Sequence, residues 1–145
     1  MKIPQLIADA RRLIDNYPTL PEAEAQPTII VVIGLPGTGK SYFSRRLAER
    51  LPFLILESDT LRKQLFQTPT YSGEESAYLF RTIYQMIKDL LKRGIPVILD
   101  ATNLEERVRE RLYNIAENVG AKLILVSVQA PPELVEKRLK KRQRH

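Results

Sequence analysis

Two kinds of apolar pattern alternate along this 145-residue chain. Four runs are unbroken: Ile29 to Ile33, Phe53 to Leu56, Pro96 to Leu99 and Leu123 to Val128. Continuous rather than alternating apolar sequence is what strands covered on both faces require, as in a parallel sheet. Between these runs apolar residues recur at helical spacing. Leu79, Phe80, Ile83, Met86, Ile87, Leu90 and Leu91 form one stripe, and Leu104, Val108, Leu112, Ile115 and Val119 another. Gly94 and Gly120 stand just past these stripes, where a helix is best ended by a left-handed residue. Shorter helices fit Lys40 to Arg50 and Thr60 to Gln67. A last helix starts at Pro131 or Pro132, proline suiting the first turn, with Leu134, Val135 and Leu139 able to pack. The alternation predicts an α/β protein: an open parallel sheet of about four strands, helices on both faces, and right-handed crossovers.

Ahead of this unit, Ile3, Leu6, Ile7, Ala10, Leu13, Ile14 and Tyr17 predict an amphipathic helix over Pro4 to Asn16. Its apolar face must be buried, either on the domain or on a partner. Pro18, Pro21 and Pro27 then mark an extended connection. Residues 1–28 are therefore read as an N-terminal helix and linker, and 29–145 as the domain proper.

Composition narrows the chemistry. The length suits one domain with a real core, and 43% hydrophobic with 28% charged residues is ordinary for a soluble globular protein. No apolar run approaches the ~20 residues of a membrane span. The N-terminus lacks a signal-peptide apolar core and carries acids unlike a transit peptide, so a cytoplasmic protein is expected. The chain has no cysteine, and its single histidine is the last residue, His145. Disulfides and thiolate chemistry are excluded, and histidine-based catalysis is not expected. The net charge of +6 is local, because Lys137 to His145 hold six Lys/Arg and no acid. That segment could meet phosphate on a nucleotide or a polynucleotide, but it does not make a basic protein surface.

The residues that follow each strand carry the candidate chemistry, since ligands bind outside the carboxyl ends of a parallel sheet. After the first strand comes Gly34-Leu35-Pro36-Gly37-Thr38-Gly39-Lys40-Ser41, a glycine, four residues, then Gly-Lys-Ser. Between a strand and a helix this pattern is a phosphate-binding loop. Gly34, Gly37 and Gly39 let the loop turn tightly so that successive N–H groups face phosphate, Pro36 and Thr38 complete the nucleotide-binding loop, and the helix adds the positive end of its dipole. Lys40 reaches the β- and γ-phosphates and the Ser41 hydroxyl ligates Mg²⁺. After the second strand, Asp59 suits the acceptor of a substrate hydroxyl's proton. Arg62, one turn on, suits an acceptor phosphate or the migrating group. Ser58 or Asp59 would equally serve as a helix N-cap. After the third strand, Asp100 suits Mg²⁺, directly or through water, or else caps the next helix as Thr102 or Asn103 would. Thr102 and Asn103 are candidates for substrate hydrogen bonds. Tyr71-Ser72-Gly73 is either a plain surface loop or an overhang of the acceptor site. In the final helix Arg138 and Arg142 share one face, placed either to close over ATP phosphates or to form a solvated basic face.

Taken together, GLPGTGKS, ESDTLRK, ILDATN and APPELVEKRLKKR resemble the P-loop kinase superfamily, specifically the AAA_33 and zeta-toxin-like kinases that include the kinase domains of polynucleotide 5′-kinases. The likeness covers about Ile29 to Arg142. It implies a three-layer P-loop NTPase fold and an ATP- and Mg²⁺-dependent kinase acting on a hydroxyl, in a small metabolite or at a nucleic-acid 5′-end. By resemblance Asp59 is the general base, Arg62 contacts an acceptor phosphate, Asp100 is the aspartate of the D-x-T-N motif in the active site, and Arg138 and Arg142 are lid arginines. Members of the group continue through the rest of the lid, a further helix and a fifth strand, parts that this sequence is expected to lack. A second reading stays open, an ATP-binding module that phosphorylates nothing.

Overall fold

The computed structural model describes residues 3–35, 38–101 and 105–129. In chain order the elements are α1 (Ile3–Asp15), β1 (Thr28–Ile33), α2 (Lys40–Arg50), β2 (Leu54–Glu57), α3 (Ser58–Leu65), α4 (Gly73–Lys92), β3 (Val97–Asp100), α5 (Glu106–Val119) and β4 (Lys122–Ser127). The four strands form one parallel sheet in the order β2-β3-β1-β4. This is the open α/β architecture that the alternating pattern predicts. The strands lie within a residue of their expected positions, and Gly94 and Gly120 adopt positive φ as expected of helix ends. The helix expected from Pro131 or Pro132 lies outside the described residues.

Because side chains alternate across a strand, the sheet has two unlike faces. Ile29, Val31, Leu54, Leu56, Val97 and Leu99 point to the larger core, which they share with buried residues of α1, α3, α4 and α5. Ile30, Val32 and Ile98 point the other way, against Phe43, Leu47 and Leu51 on and just beyond α2. β3 is buried along its whole length, as the interior strand between β2 and β1 should be. β4 departs from the expectation of burial on both faces. It is an outer strand, and its Ile124 and Leu125 are exposed.

The expected N-terminal helix packs on the domain. Ala10, Leu13 and Ile14 of α1 belong to the larger core, and Asp9 accepts a hydrogen bond from the Tyr78 hydroxyl on α4. Burial and that carboxylate together push the Tyr78 phenol up to about 12. The connection after α1 is also tied down, by the Glu24 N–H donating to the Gly94 carbonyl at 2.8 Å. Leu13 is fully buried whereas Ile3 is largely exposed, so their alanine variants should separate. Leu13→Ala should lose about 2–5 kcal/mol of stability, and Ile3→Ala should stay within about 0.5 kcal/mol. Urea denaturation measures both. An unchanged midpoint for Leu13→Ala would mean that α1 is not part of the core.

Candidate active site

The site is built where β1 runs into α2. Gly34 leaves the strand in a place where any side chain would collide. A Cβ there would lie 2.8 Å from the Thr38 hydroxyl and 2.9 Å from the Val128 carbonyl. Thr38 closes the turn through its hydroxyl, which donates to the Leu35 carbonyl at 2.8 Å. Gly39 then adopts φ 88° as the N-cap of α2, a conformation costly for residues with a Cβ. It offers no side-chain cap, so the first N–H groups of α2 are left for another acceptor, the arrangement that suits an anion. Pro36 and Gly37 lie outside the described residues.

Lys40, the first residue of α2, is buried and its ammonium donates to the buried carboxylate of Asp100, with only 7% and 3% of the two side chains exposed. Sheet geometry explains the meeting. Asp100 lies two residues beyond Ile98, hence on the α2 face, and it is in register with Val32 of β1 beside the loop. Asp100 ends β3, while α5 is capped by Glu105, so the alternative of Asp100 as that helix's N-cap is ruled out. A second α2 ion pair runs parallel to the first. Glu57 is in register with Asp100 on the neighbouring strand and accepts from Arg45 at 3.0 Å. That hydrogen bond raises the Arg45 pKa further. Glu57 and Arg45 were missed in the sequence. The available signal was period-2 spacing, which puts Glu57 on the same face as Ile55.

Ser41 and Asp100 are hard oxygen donors of the kind Mg²⁺ takes. Mg²⁺ needs only one or two carboxylates when phosphates and waters fill its other positions. Among the described residues no group of three or more His, Cys, Asp or Glu assembles into a cage. The donor chemistry fits a Mg²⁺ carried in by a nucleotide.

The acceptor-side candidates form a separate cluster. α3 begins at Ser58 with Glu57 as its N-cap and no side-chain cap, so neither Ser58 nor Asp59 caps it. Asp59 lies in the first turn, 65% exposed, with Lys63 at 3.4 Å and the Tyr71 hydroxyl donating at 3.4 Å. Arg62 is turned inward. Its guanidinium donates to Glu75 at 2.6 Å and to the Ser76 hydroxyl at 3.0 Å, and it lies 4.7 Å from the centre of the Tyr71 ring. The structure thus brings Asp59 and Arg62 together through Tyr71, not on one open helical face. Tyr71 has φ 58°, a left-handed conformation uncommon for a bulky residue. Glu75 holds it there, accepting from the backbone N–H groups of Thr70 at 2.6 Å and Tyr71 at 3.3 Å and from the Thr70 hydroxyl at 2.9 Å. Ser72 caps α4 by accepting from the Glu75 N–H. Ser72-x-x-Glu75 is a capping-box spacing that could have located both the helix start and this clamp in the sequence. Thr102, Asn103, Arg138 and Arg142 lie outside the described residues.

The AAA_33 family model, an AAA domain, matches residues 29–145. This chain belongs to the AAA_33 family. It is similar to the L-seryl-tRNA(Sec) kinase of Methanococcus maripaludis, 30% identical over 115 residues that cover 76% of this chain and 44% of that protein. It is also similar to the adenylyl-sulfate kinase of Myxococcus xanthus, 30% identical over 111 residues, 74% of this chain and 60% of that one. Both relatives are kinases, and the chain spans 44% and 60% of their lengths. Among solved structures, the PezAT toxin–antitoxin system of Streptococcus pneumoniae shares the fold, with a TM-score of 0.74 and 19% identity over 97% of this chain and 61% of that one. Membership of AAA_33 accounts for the loop and the parallel sheet as parts of one P-loop architecture. No described helix is long and apolar enough to cross a membrane.

Burial opposes ionisation of Glu75, but hydrogen bonds from Thr70, Arg62 and Tyr71 outweigh it and bring the carboxyl down to about 2 from an ordinary 4.5. A carboxyl with a lowered folded-state pKa stabilises the fold fully above its unfolded pKa and loses that contribution as pH falls towards the folded value. The stability advantage of wild type over Glu75→Gln should therefore be complete above about pH 4.5 and disappear on titration towards about pH 2. Urea midpoints of both proteins between pH 2 and 7 check this. A pH-independent difference would show that the charge on Glu75 does not matter.

Proposed function

We propose that this AAA_33 protein is an ATP- and Mg²⁺-dependent kinase that moves the γ-phosphoryl group of ATP to a hydroxyl acceptor. The observation that carries the reading is the buried Lys40–Asp100 pair at the first turn of α2, directly after the glycine loop. It keeps a cation and a carboxylate in the dry crevice where triphosphate and metal would be received. The uncapped N–H groups of α2 would accept phosphate oxygens, and Lys40 would exchange Asp100 for the β- and γ-oxygens. Mg²⁺ bound with ATP supplies charge neutralisation of the phosphates, with Ser41 and Asp100 as its protein oxygens.

On the acceptor side Asp59 would take the proton of the attacking hydroxyl. The new bond joins the acceptor oxygen to the γ-phosphorus, the bond from that phosphorus to the bridging oxygen breaks, and ADP leaves with the electron pair. Asp59 is exposed enough to meet a substrate, and the Tyr71 hydroxyl lies 3.4 Å from it. Arg138 and Arg142 are proposed to close over the nucleotide from the C-terminal segment, Thr102 and Asn103 to hydrogen-bond substrate, and Pro36 and Gly37 to complete the phosphate loop. What favours transfer over the competing reading, a binding module without transfer, is Asp59 itself, an exposed carboxylate with the Tyr71 hydroxyl at 3.4 Å, for which nucleotide binding alone has no use. Residues 1–28 are proposed to act as an extension braced on a catalytic unit of residues 29–145, in a cytoplasmic protein.

Lys40→Ala should weaken ATP binding but also leave Asp100 buried and unpaired, an expected loss of about 3–5 kcal/mol in stability. Lys40→Met combined with Asp100→Asn removes both charges and should restore most of that stability while still failing to bind ATP. Titration calorimetry with a melting curve for each protein tests this. ATP affinity equal to wild type in the double variant would sink the nucleotide-site reading.

Asp59→Asn should keep ATP affinity and lose about 10²–10⁴-fold in turnover. Transfer of label from γ-labelled ATP into pools of sugars, nucleosides and 5′-hydroxyl oligonucleotides measures it. Full activity in Asp59→Asn would put the base elsewhere.

A further inference from the structure

We propose that the phosphoryl acceptor is a neutral hydroxyl compound, a sugar or nucleoside with no phosphate beside the reacting hydroxyl, because Arg62, the cation that the sequence resemblance assigns to such a phosphate, is already neutralised by Glu75. The proposal rests on the phosphotransferase reading above and narrows its acceptor.

The resemblance to polynucleotide kinases implied an Arg62 free to contact an acceptor phosphate. The side chain is instead committed. Arg62 and Glu75 are 12% and 6% exposed and 2.6 Å apart, a charge-assisted contact largely shielded from solvent. Ser76 takes a second guanidinium nitrogen and the Tyr71 ring covers one face. Glu75 cannot swing aside to release Arg62, because it also holds the Thr70 backbone, the Thr70 hydroxyl and the Tyr71 backbone. Withdrawing the arginine would leave a carboxylate buried without its cation, which is strongly unfavourable.

Among the described residues of this cluster the charges then balance. Arg62 offsets Glu75, and Lys63, largely exposed, lies 3.4 Å from Asp59. An acceptor phosphate would bring uncompensated negative charge towards Asp59, whose own charge the reaction requires. A neutral acceptor adds none. Specificity is a difference between two affinities, and an already occupied arginine removes the attraction on which a phosphate-bearing acceptor would depend. A nucleic-acid 5′-end carries a phosphodiester on the 3′-oxygen of its terminal nucleoside, so it belongs to the disfavoured class.

The experiment compares kcat/KM for neutral sugars and nucleosides with those of their monophosphates, including nucleoside 3′-monophosphates and a 5′-hydroxyl oligonucleotide, using γ-labelled ATP. Wild type should favour the neutral member of its best pair by about tenfold or more, the cost of roughly 1.4 kcal/mol of lost attraction or added repulsion. Glu75→Gln keeps the side chain's size while freeing the charge of Arg62. It should shift the ratio towards the phosphorylated member by about tenfold, with ATP affinity unchanged. A wild-type preference for the monophosphate or the oligonucleotide overturns the proposal, as does a ratio unmoved in a folded Glu75→Gln protein. If that variant does not fold, the wild-type ratio alone decides. Asp59→Asn separates the two levels of the argument. Loss of transfer there with a phosphate-preferring wild type leaves the kinase standing and removes only this inference, whereas a wild type that labels no acceptor removes both.

Discussion

A charge taken out of water must find an opposite charge, and the Lys40–Asp100 pair is where this fold meets that requirement. The pair ties the first residue of α2 to the last residue of β3, so helix, loop and central strand share one fixed point. The glycines around it follow from the same closeness. Gly34 has no room for a side chain, and Gly39 must turn left-handed for α2 to start with its ammonium over the sheet. The apolar residues Ile30, Val32 and Ile98 beneath α2 keep the surroundings dry, which is what gives the pair its strength.

Glu75 organises the other half in the same way, from one buried carboxylate with several donors. It sits in the first turn of α4, reaches back to fix the Thr70–Tyr71 turn, and joins α3 to α4 through Arg62. The two centres differ in what they leave available. Among the described residues Lys40 and Asp100 have each other as their one side-chain partner, whereas Arg62 is held by Glu75, Ser76 and the Tyr71 ring together.

The strands, the helices and the phosphate loop were legible because each rests on local signals: continuous apolar runs, helical stripes and a glycine pattern between strand and helix. Asp100 was legible by position, as the polar residue ending a buried strand. The N-caps of α3 and α5 were not, since Ser58, Asp59, Thr102 and Asn103 are all suitable residue types and only backbone geometry chose Glu57 and Glu105. β4 read as fully buried because an apolar run does not reveal whether its strand lies inside or at the edge of the sheet. The pairing of Arg62 with Glu75 was not legible for a related reason. Glu75 is thirteen residues away across an irregular turn, and helical spacing says nothing about contacts of that kind.

α4 has twenty residues and is about 30 Å long. One end carries Glu75, Tyr78 one turn on bonds to Asp9 of α1, the residues beyond it pack in the larger core that α1 shares, and the last turn leads to Gly94, to which the proline-containing connection is bonded. Such attachments make the amino-terminal extension a structural neighbour of the Tyr71 turn, although the two are far apart in sequence. A truncation or repacking of α1 therefore strips cover from the same helix whose first turn holds Tyr71, so the extension belongs with the domain whenever its boundaries are drawn.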